Sequence, residues 1–351
     1  MHAALAQHIP ISLQKKCALE KLFMFVMSKA RHDELVSIIR GVHEQLRRNY
    51  QTSGDHVEVW TRHCNDKEAR LRYAQSMKTL ATDVWKNDDR IVWCYETLKD
   101  YFFEGGLQRS IRRLWRRDGR QGHPDENIND AFRKLNLDCE KPLVLDVGSC
   151  YNPFKVYTDI DTVAIDLTPA SDDVLQCDFL QVEVTDPSSS IFLRRECLKS
   201  PLVHLPSESF HVVLFVLVLE YLPCTIQRWT FCTKAVRLLK PNGLLLIVTP
   251  DSKHQQKNSA MIRSWRGVLE SVGLCRIRYE KRQHLHCMAF QKNNALSVSK
   301  DDAETSMYIP QDSIDYVRQK REAVIVERSD VEDKALVETF SQLPQGFVDA
   351  C

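Results

Sequence analysis

The segment LVLDVGSCYNPF at 143–154 constrains this chain more than any other. Leu143–Leu145 is a short apolar run ending in an acid, Asp146. Gly148 follows, where a strand must turn sharply and let backbone approach a ligand. A second run, Thr162–Ile165, ends in Asp166, twenty residues beyond Asp146. In an open α/β sheet, ligands sit outside the carboxyl ends of the strands, and an acid about 20 residues past the first turn accepts from both ribose hydroxyls. CDFL at 177–180 adds a third acid, Asp178, beside an aromatic, Phe179. The pattern reads as a nucleotide-binding crevice.

From Leu143 to Lys292 strands and helices alternate, which predicts a mostly parallel sheet covered on both faces. FHVVLFVLVLEYLP at 210–223 reads as a buried strand, QRWTFCTKAVRLLK at 227–240 as a helix, and LLLIVTP at 244–250 as the next buried strand after a Pro-Asn-Gly break. SAMIRSWRGVLESV at 259–272 has helical periodicity. Beyond Gly273, CRIRYEKRQ and HLHCMAFQK alternate polar and apolar residues, as an antiparallel hairpin at a sheet edge does.

The amino-terminal part carries few strand signals. ELVSIIRGVHEQLRRNY, DKEARLRYAQSMKTLATDVW and DRIVWCYETLKDYF place apolar residues at three-to-four spacing and predict three helices, with Gly54 separating the first two and Gly105-Gly106 stopping the last. Residues 108–130 are polar, with six Arg before Gly122, and read as a linker candidate. That Arg cluster has two readings, a dock for RNA phosphate or an acidic protein, and a solvated connection. The expected organisation is a helical domain at 1–122, a linker at 123–134, an α/β domain at 135–295 and a tail at 296–351. The tail holds twelve acidic against six basic residues, and its MYIP and AVIVE runs are its candidates for packing back on the domain.

Composition excludes several classes. Lys plus Arg (48) balances Asp plus Glu (47), so no global basic field draws the chain to nucleic acid or to an acidic membrane. The twelve Cys form no CxxC pair and lack metal-ligand spacing, which argues for reduced thiols in a cytosolic or nuclear protein and against a metal site. CALEKLFMFVM at 17–27 is interrupted by Glu20 and Lys21 and lacks a small-residue cleavage site. No run approaches the ~18–20 apolar residues that span a bilayer. A soluble protein is the expectation.

A parallel sheet whose last two strands form a hairpin after LLKPNGLLLIVTP resembles the class I S-adenosylmethionine-dependent methyltransferase fold, a Rossmann-like α/β architecture, over roughly 135–292. The resemblance implies that Asp146, Gly148 and Ser149 lie by the methionine end of S-adenosyl-L-methionine, that Asp166 holds the ribose, and that Asp178 faces the adenine amino group with Phe179 covering the ring. The chain departs from the family at the first turn, where Ser149, Cys150 and Asn152 stand where further glycines often fall. VHEQLRRNY, DRIVWCY, LVLDVGSC, CDFL, QRW, NGLLLIVTPDS, HLHCMAF and MYIPQD, spread over 42–312, resemble the Bmt2 methyltransferase-like family. That family includes fungal ribosomal-RNA adenine methyltransferases and S-adenosylmethionine sensors upstream of TOR complex 1. The resemblance implies a helical domain joined to an S-adenosylmethionine-binding domain. It also implies a ligand-free form that engages the Rag-GTPase-activating GATOR complex and its KICSTOR scaffold, is released by ligand, and works in the cytoplasm with recruitment to the lysosomal surface through those partners.

Two functions stay open on the residues. Amino-group methyltransferases of several kinds carry an Asn/Asp-Pro-Pro-aromatic motif after the fourth strand, and this chain has Leu219-Glu220-Tyr221-Leu222-Pro223 there. Glu220 and Tyr221 are the proton-acceptor candidates for an RNA methyltransferase, and each reads equally as a rim residue. A sensor instead needs an element whose position the ligand biases. The aromatic run DRIVWCY nominates Arg90, Trp93 and Tyr95 to close the site, with Arg90 reaching the ligand carboxylate through a forked contact.

Overall fold

The computed structural model describes residues 11–84, 88–119, 121, 124–135, 141–186, 198–251, 255–293 and 306–312, with side chains from Lys29 onward apart from residues 255 and 256. The expected acidic tail lies outside these apart from 306–312, and so does residue 123 of the expected linker. The described residues up to Ile309 belong to one compact unit, and Pro310–Asp312 form a short 3-10 turn at the start of a second.

Helices open the chain: α1 (Ile11–Ser53), α2 (His56–Asn65), α3 (Lys67–Thr79) with a π turn at Leu80–Val84, α4 (Asp89–Phe103), α5 (Gly106–Arg117) and α6 (Asp125–Leu135). Helix α2 starts because the Asp55 carboxylate accepts the Val57 and Glu58 N–H groups, each at 2.9 Å, and Asp66 caps α3 through the Ala69 N–H at 3.0 Å. Asp55 with Glu58 three residues on is a capping-box signal that marks α2 in the sequence, against its β-branched content.

The strands are β1 (Leu143–Val147), β2 (Asp161–Asp166), β3 (Leu175–Gln176), β4 (Glu183–Thr185), β5 (His204–Pro206), β6 (Phe210–Val216), β7 (Leu239–Pro250), β8 (Leu274–Arg282) and β9 (Leu285–Lys292). Helices α7 (Thr225–Leu238) and α8 (Gln255–Ser271) follow β6 and β7. Seven strands form one sheet in the order β3-β2-β1-β6-β7-β9-β8, parallel except for β9, which runs antiparallel to both its neighbours. This is the class I methyltransferase sheet with the expected edge hairpin. Strands β4 and β5 pair separately.

Successive strand residues point to opposite faces, and both faces are buried. Leu145, Val147, Val163, Ile165, Phe215 and Ile247 pack with α7 and α8. Val144, Val212, Leu214, Leu246 and Val248 pack instead against Trp93 and Leu98 of α4, Ile111 of α5 and Ile128 and Ala131 of α6. The helical segment therefore divides its work: α4–α6 are the second covering layer of the sheet, and α1–α3 stand over its carboxyl edge.

Two expectations are corrected. The stretch 108–130, read as linker, is largely helical. Leu107, Ile111 and Leu114 of α5 and Ile128, Ala131 and Leu135 of α6 are buried against the sheet, while the charges face out, so composition dominated by one face concealed the amphipathic stripe. The strand read across 210–223 ends at Val216. Leu217 has φ 59°, and the apolar run continues as a buried 3-10 turn at Leu219–Tyr221, which a continuous hydrophobic pattern does not distinguish from strand.

Candidate functional site

A crevice with about 760 Å³ of space, part of it open to solvent, lies at the carboxyl ends of β1, β2 and β6. Gly148, Asp166, Thr168, Asp178, Phe179 and Tyr221 line it from the α/β side, and Trp60, Arg70, Tyr73 and Met77 line it from α2 and α3.

Gly148 turns with φ 76°, and a Cβ there would meet Val218 Cγ2 at 2.6 Å. Its N–H donates to the Ile165 carbonyl at 2.9 Å, which ties the first turn to the end of β2. Asp166 ends β2 with a carboxylate that accepts the Cys150 N–H on Oδ2 at 3.0 Å and the Thr168 N–H on Oδ1 at 2.7 Å. Each oxygen keeps one lone pair, which matches two vicinal hydroxyl donors. Burial pushes this carboxyl up to about 6, while the two N–H groups and Arg70 hold it down.

Asp146 is buried and accepts the Ser149 hydroxyl at 2.6 Å. Burial raises it to about 7, against the pull of Ser149 and Arg90. Asp146 and Ser149 stand behind the turn rather than in the crevice wall. Asp178 accepts the Leu180 N–H on Oδ1 at 3.0 Å and the Trp60 indole N–H on Oδ2 at 2.9 Å. Phe179 lines the crevice but packs edge-on against Phe231 and Phe215 at 4.8 and 6.1 Å between ring centroids, and so serves the core as well.

The residues expected to close the site stand outside the crevice wall. Trp93 is fully buried and donates to Glu280 at 3.0 Å. Tyr95 stacks on Tyr157 at 3.7 Å and donates to Asp159 at 2.8 Å. Neither lines the crevice. Nor does Arg90, which donates to the Tyr151 hydroxyl at 3.3 Å, pairs with Asp88 at 3.4 Å and acts on the buried Asp146.

The closing contacts come from α1–α3, which the helical periodicity did not single out. Arg47 of α1 donates to the Glu220 carbonyl at 3.0 Å. Arg70 of α3 donates to the Thr168 hydroxyl at 2.6 Å and the Leu167 carbonyl at 3.3 Å, and Lys78 reaches the Ala170 carbonyl at 2.8 Å. The Tyr221 hydroxyl shares a hydrogen bond with His63 Nε2, and its ring lies 4.9 Å from that of Tyr73. Burial holds His63 down to about 4 and His43 behind it to about 3, so both imidazoles are neutral at neutral pH. Glu220 is buried, pushed above its ordinary range by desolvation, with Oε1 bonded to the Thr249 hydroxyl and Oε2 without a hydrogen-bond partner among the described residues.

The family model described as 25S rRNA (adenine(2142)-N(1))-methyltransferase, Bmt2, matches residues 125–314. The S-adenosylmethionine sensor upstream of mTORC1 of Xenopus tropicalis is 38% identical over 92% of this chain and 86% of its own length. The chain belongs to the Bmt2 family. The Danio rerio protein of the same description is 37% identical, covering 92% of this chain and 87% of its own. Among solved structures, the N-methyltransferase NodS of Bradyrhizobium japonicum in complex with S-adenosylhomocysteine is similar over 48% of this chain and 87% of its own, at 14% identity and a TM-score of 0.30. Membership of the Bmt2 family agrees with the strand order and with a crevice at the carboxyl ends of the strands, lined by Asp166 at the end of β2 and Asp178 after β3. Among the described residues no helix is long and apolar enough to cross a membrane.

Proposed function

We propose that this chain is an S-adenosylmethionine sensor acting upstream of TOR complex 1. Asp166 takes the ribose hydroxyls, Asp178 the adenine amino group, and Gly148 with the Asp146–Ser149 pair frames the methionine end, with Arg90 nearby for the carboxylate. The donor set fits the group: two free lone pairs on Asp166, an acid at the base end, and an apolar wall between them.

The observation that carries the reading is the grip of α1–α3 on the loops that follow β2, β3 and β6, through Arg70–Thr168, Trp60–Asp178 and Arg47–Glu220. A ligand seated among these loops meets both parts of the protein at once, so its occupancy biases how the helices sit. A ligand acts as a switch only through such a difference in affinity between two arrangements. By the family resemblance, the ligand-free form holds the GATOR complex and its KICSTOR scaffold in the cytoplasm or at the lysosomal surface and restrains TOR complex 1. Ligand releases it.

A second reading, methyl transfer to a ribosomal-RNA adenine, is favoured by the description of the matching family. Against it, the Glu220 carboxyl turns to Thr249 and the Tyr221 hydroxyl to His63, and Arg109, Arg112, Arg113 and Arg117 of the basic cluster contact Asp100, Asp125, the Ile277 carbonyl and Asp118 within the protein. The test is calorimetry with S-adenosylmethionine and S-adenosylhomocysteine, with capture of the GATOR complex at each ligand concentration and methyl incorporation into ribosomal RNA followed in parallel. The sensor reading expects binding, release of the complex and no incorporation. Stoichiometric methylation lost on Tyr221→Phe, with no ligand effect on the complex, would replace it by the enzyme.

A further inference from the structure

Asp178 is held from an unexpected direction. Its Oδ2 accepts the indole N–H of Trp60 at 2.9 Å from α2, and the Cys64 thiol, one turn further along the same helix, lies 3.7 Å from that oxygen. Its Oδ1 accepts only the Leu180 N–H at 3.0 Å among the described residues. A carboxylate offers about four lone-pair sites. Three donors are in place, so one strong donor more completes the acid without displacing the indole. Trp60 itself is 5% exposed, packs edge-on to Tyr221 at 6.0 Å, and forms part of the crevice wall.

From this arrangement we infer that Trp60 is the positioning residue by which the helical part takes part in reading the base: it fixes the Asp178 carboxylate so that Oδ1 faces an exocyclic amino group. This deepens the ligand reading above and rests on it. An amino group at the purine 6 position donates to that oxygen. A 6-keto group in its place brings an acceptor against a carboxylate and is repelled, so a fixed Asp178 discriminates adenine from hypoxanthine. A carboxyl free to rotate away from the keto oxygen loses that discrimination, because a site rejects an analogue strongly only when its polar groups cannot rearrange. The same hydrogen bond makes the reading reciprocal, since a base held by Asp178 stabilises the acid in the rotamer that binds α2.

The test compares S-adenosylhomocysteine with S-inosylhomocysteine by calorimetry, on the full chain and on Trp60→Phe, which keeps the apolar wall and removes the N–H. The full chain is expected to prefer the adenine compound by at least a hundredfold, and Trp60→Phe to lower that preference at least tenfold, by relieving the repulsion of the inosine compound and weakening the adenine compound. Equal loss of affinity for both compounds would assign Trp60 to packing alone and overturn the inference. So would an unchanged preference. If Trp60→Phe melts far below the wild type, Asp178→Asn and the double variant decide: coupling predicts that Trp60→Phe changes the preference less than twofold once Asp178 is replaced, and independent effects refute it. Failure of the unaltered chain to bind either compound would instead sink the ligand reading itself.

Discussion

Arg70 of α3 donates from Nη1 to the hydroxyl of Thr168, two residues beyond Asp166, so a helix far from the sheet in sequence grips the loop that carries the second acid. The Asp166 carboxylate feels that guanidinium, which favours its ionised form. Arg70→Met is expected to weaken S-adenosylmethionine binding by about 1–2 kcal/mol through loss of a charge-assisted contact and of loop order. Arg90→Ala, which removes a contact to Tyr151 outside the crevice wall, is expected to weaken it less. Calorimetry on the two variants side by side checks the order, and a larger loss for Arg90 would return the closing role to α4.

At Asp166 the structure separates binding from folding. Its carboxylate accepts two backbone N–H groups, so Asp166→Ala leaves both without an acceptor and is expected to cost about 1–3 kcal/mol of stability as well as ligand affinity. Asp166→Asn keeps one acceptor oxygen for one of the two N–H groups and sets an amide NH2 against the other, so it is the milder probe. It is expected to lower affinity by about 1.5–3 kcal/mol, roughly ten- to 150-fold, with a smaller shift in melting temperature. Affinity within twofold of wild type would remove Asp166 from the ribose.

The pH dependence follows from the same carboxyl. Burial raises it from an ordinary 3.8 to about 6, so between those values the folded chain holds a proton that the unfolded chain has lost, and wild-type stability from this group falls as pH rises through the window. Buried His43 and His63, held low, act in the opposite sense, so the informative quantity is the difference from Asp166→Asn. Relative to that variant the wild type should lose about 1–2 kcal/mol between pH 4 and 6, less than the full shift because one edge of the carboxyl faces the crevice. Ligand needs the ionised acid, so the thermal shift it produces should grow from pH 5 to 7. Denaturant melts at each pH with and without ligand measure both.

Gly148 has no room for a side chain. With φ 76° and Val218 Cγ2 at 2.6 Å from the position of a Cβ, Gly148→Ala is expected to cost about 1–3 kcal/mol and to displace the turn from Ile165. Gly148→Arg should abolish ligand binding outright. Retained binding in Gly148→Arg would place the ligand elsewhere.

The carboxyl-terminal strap is tied to the crevice by a buried cation. Arg228 donates to the Leu219 and Leu222 carbonyls at 3.1 and 2.9 Å and to the Met307 carbonyl at 2.9 Å, and Met307 and Ile309 are buried in the core. Arg228→Met should destabilise by about 3 kcal/mol or more through the carbonyls it leaves unsatisfied, and Met307→Ala by about 2–5 kcal/mol. Both should loosen the turn that bears Tyr221 and weaken ligand binding. A Met307→Ala protein as stable as wild type would detach the strap from the fold.

The sheet was legible because its signals are local. Apolar runs ending in Asp146 and Asp166, a glycine turn and an alternating hairpin each report on neighbouring residues; they mark the main strands and nominate the three acids, while the arrangement of the sheet was expected from the family resemblance. Helix α2 was missed, although Asp55 with Glu58 three residues on signals its start. What only the tertiary structure decided is which helices do what. The stripe of α4 says that one face is buried but not against which partner, those of α5 and α6 were hidden in the Arg-rich stretch read as linker, and all three helices turn out to complete the sheet. Arg70 and Tyr73 read as ordinary helix residues and Trp60 fell in a stretch read as no element, until chain folding brings them within hydrogen-bond or ring contact of Thr168, Tyr221 and Asp178, about 100 to 150 positions away. A side chain's pattern along a helix encodes burial, whereas its chemical role depends on the groups that distant strands place opposite it, and those pairings are set by packing rather than by spacing.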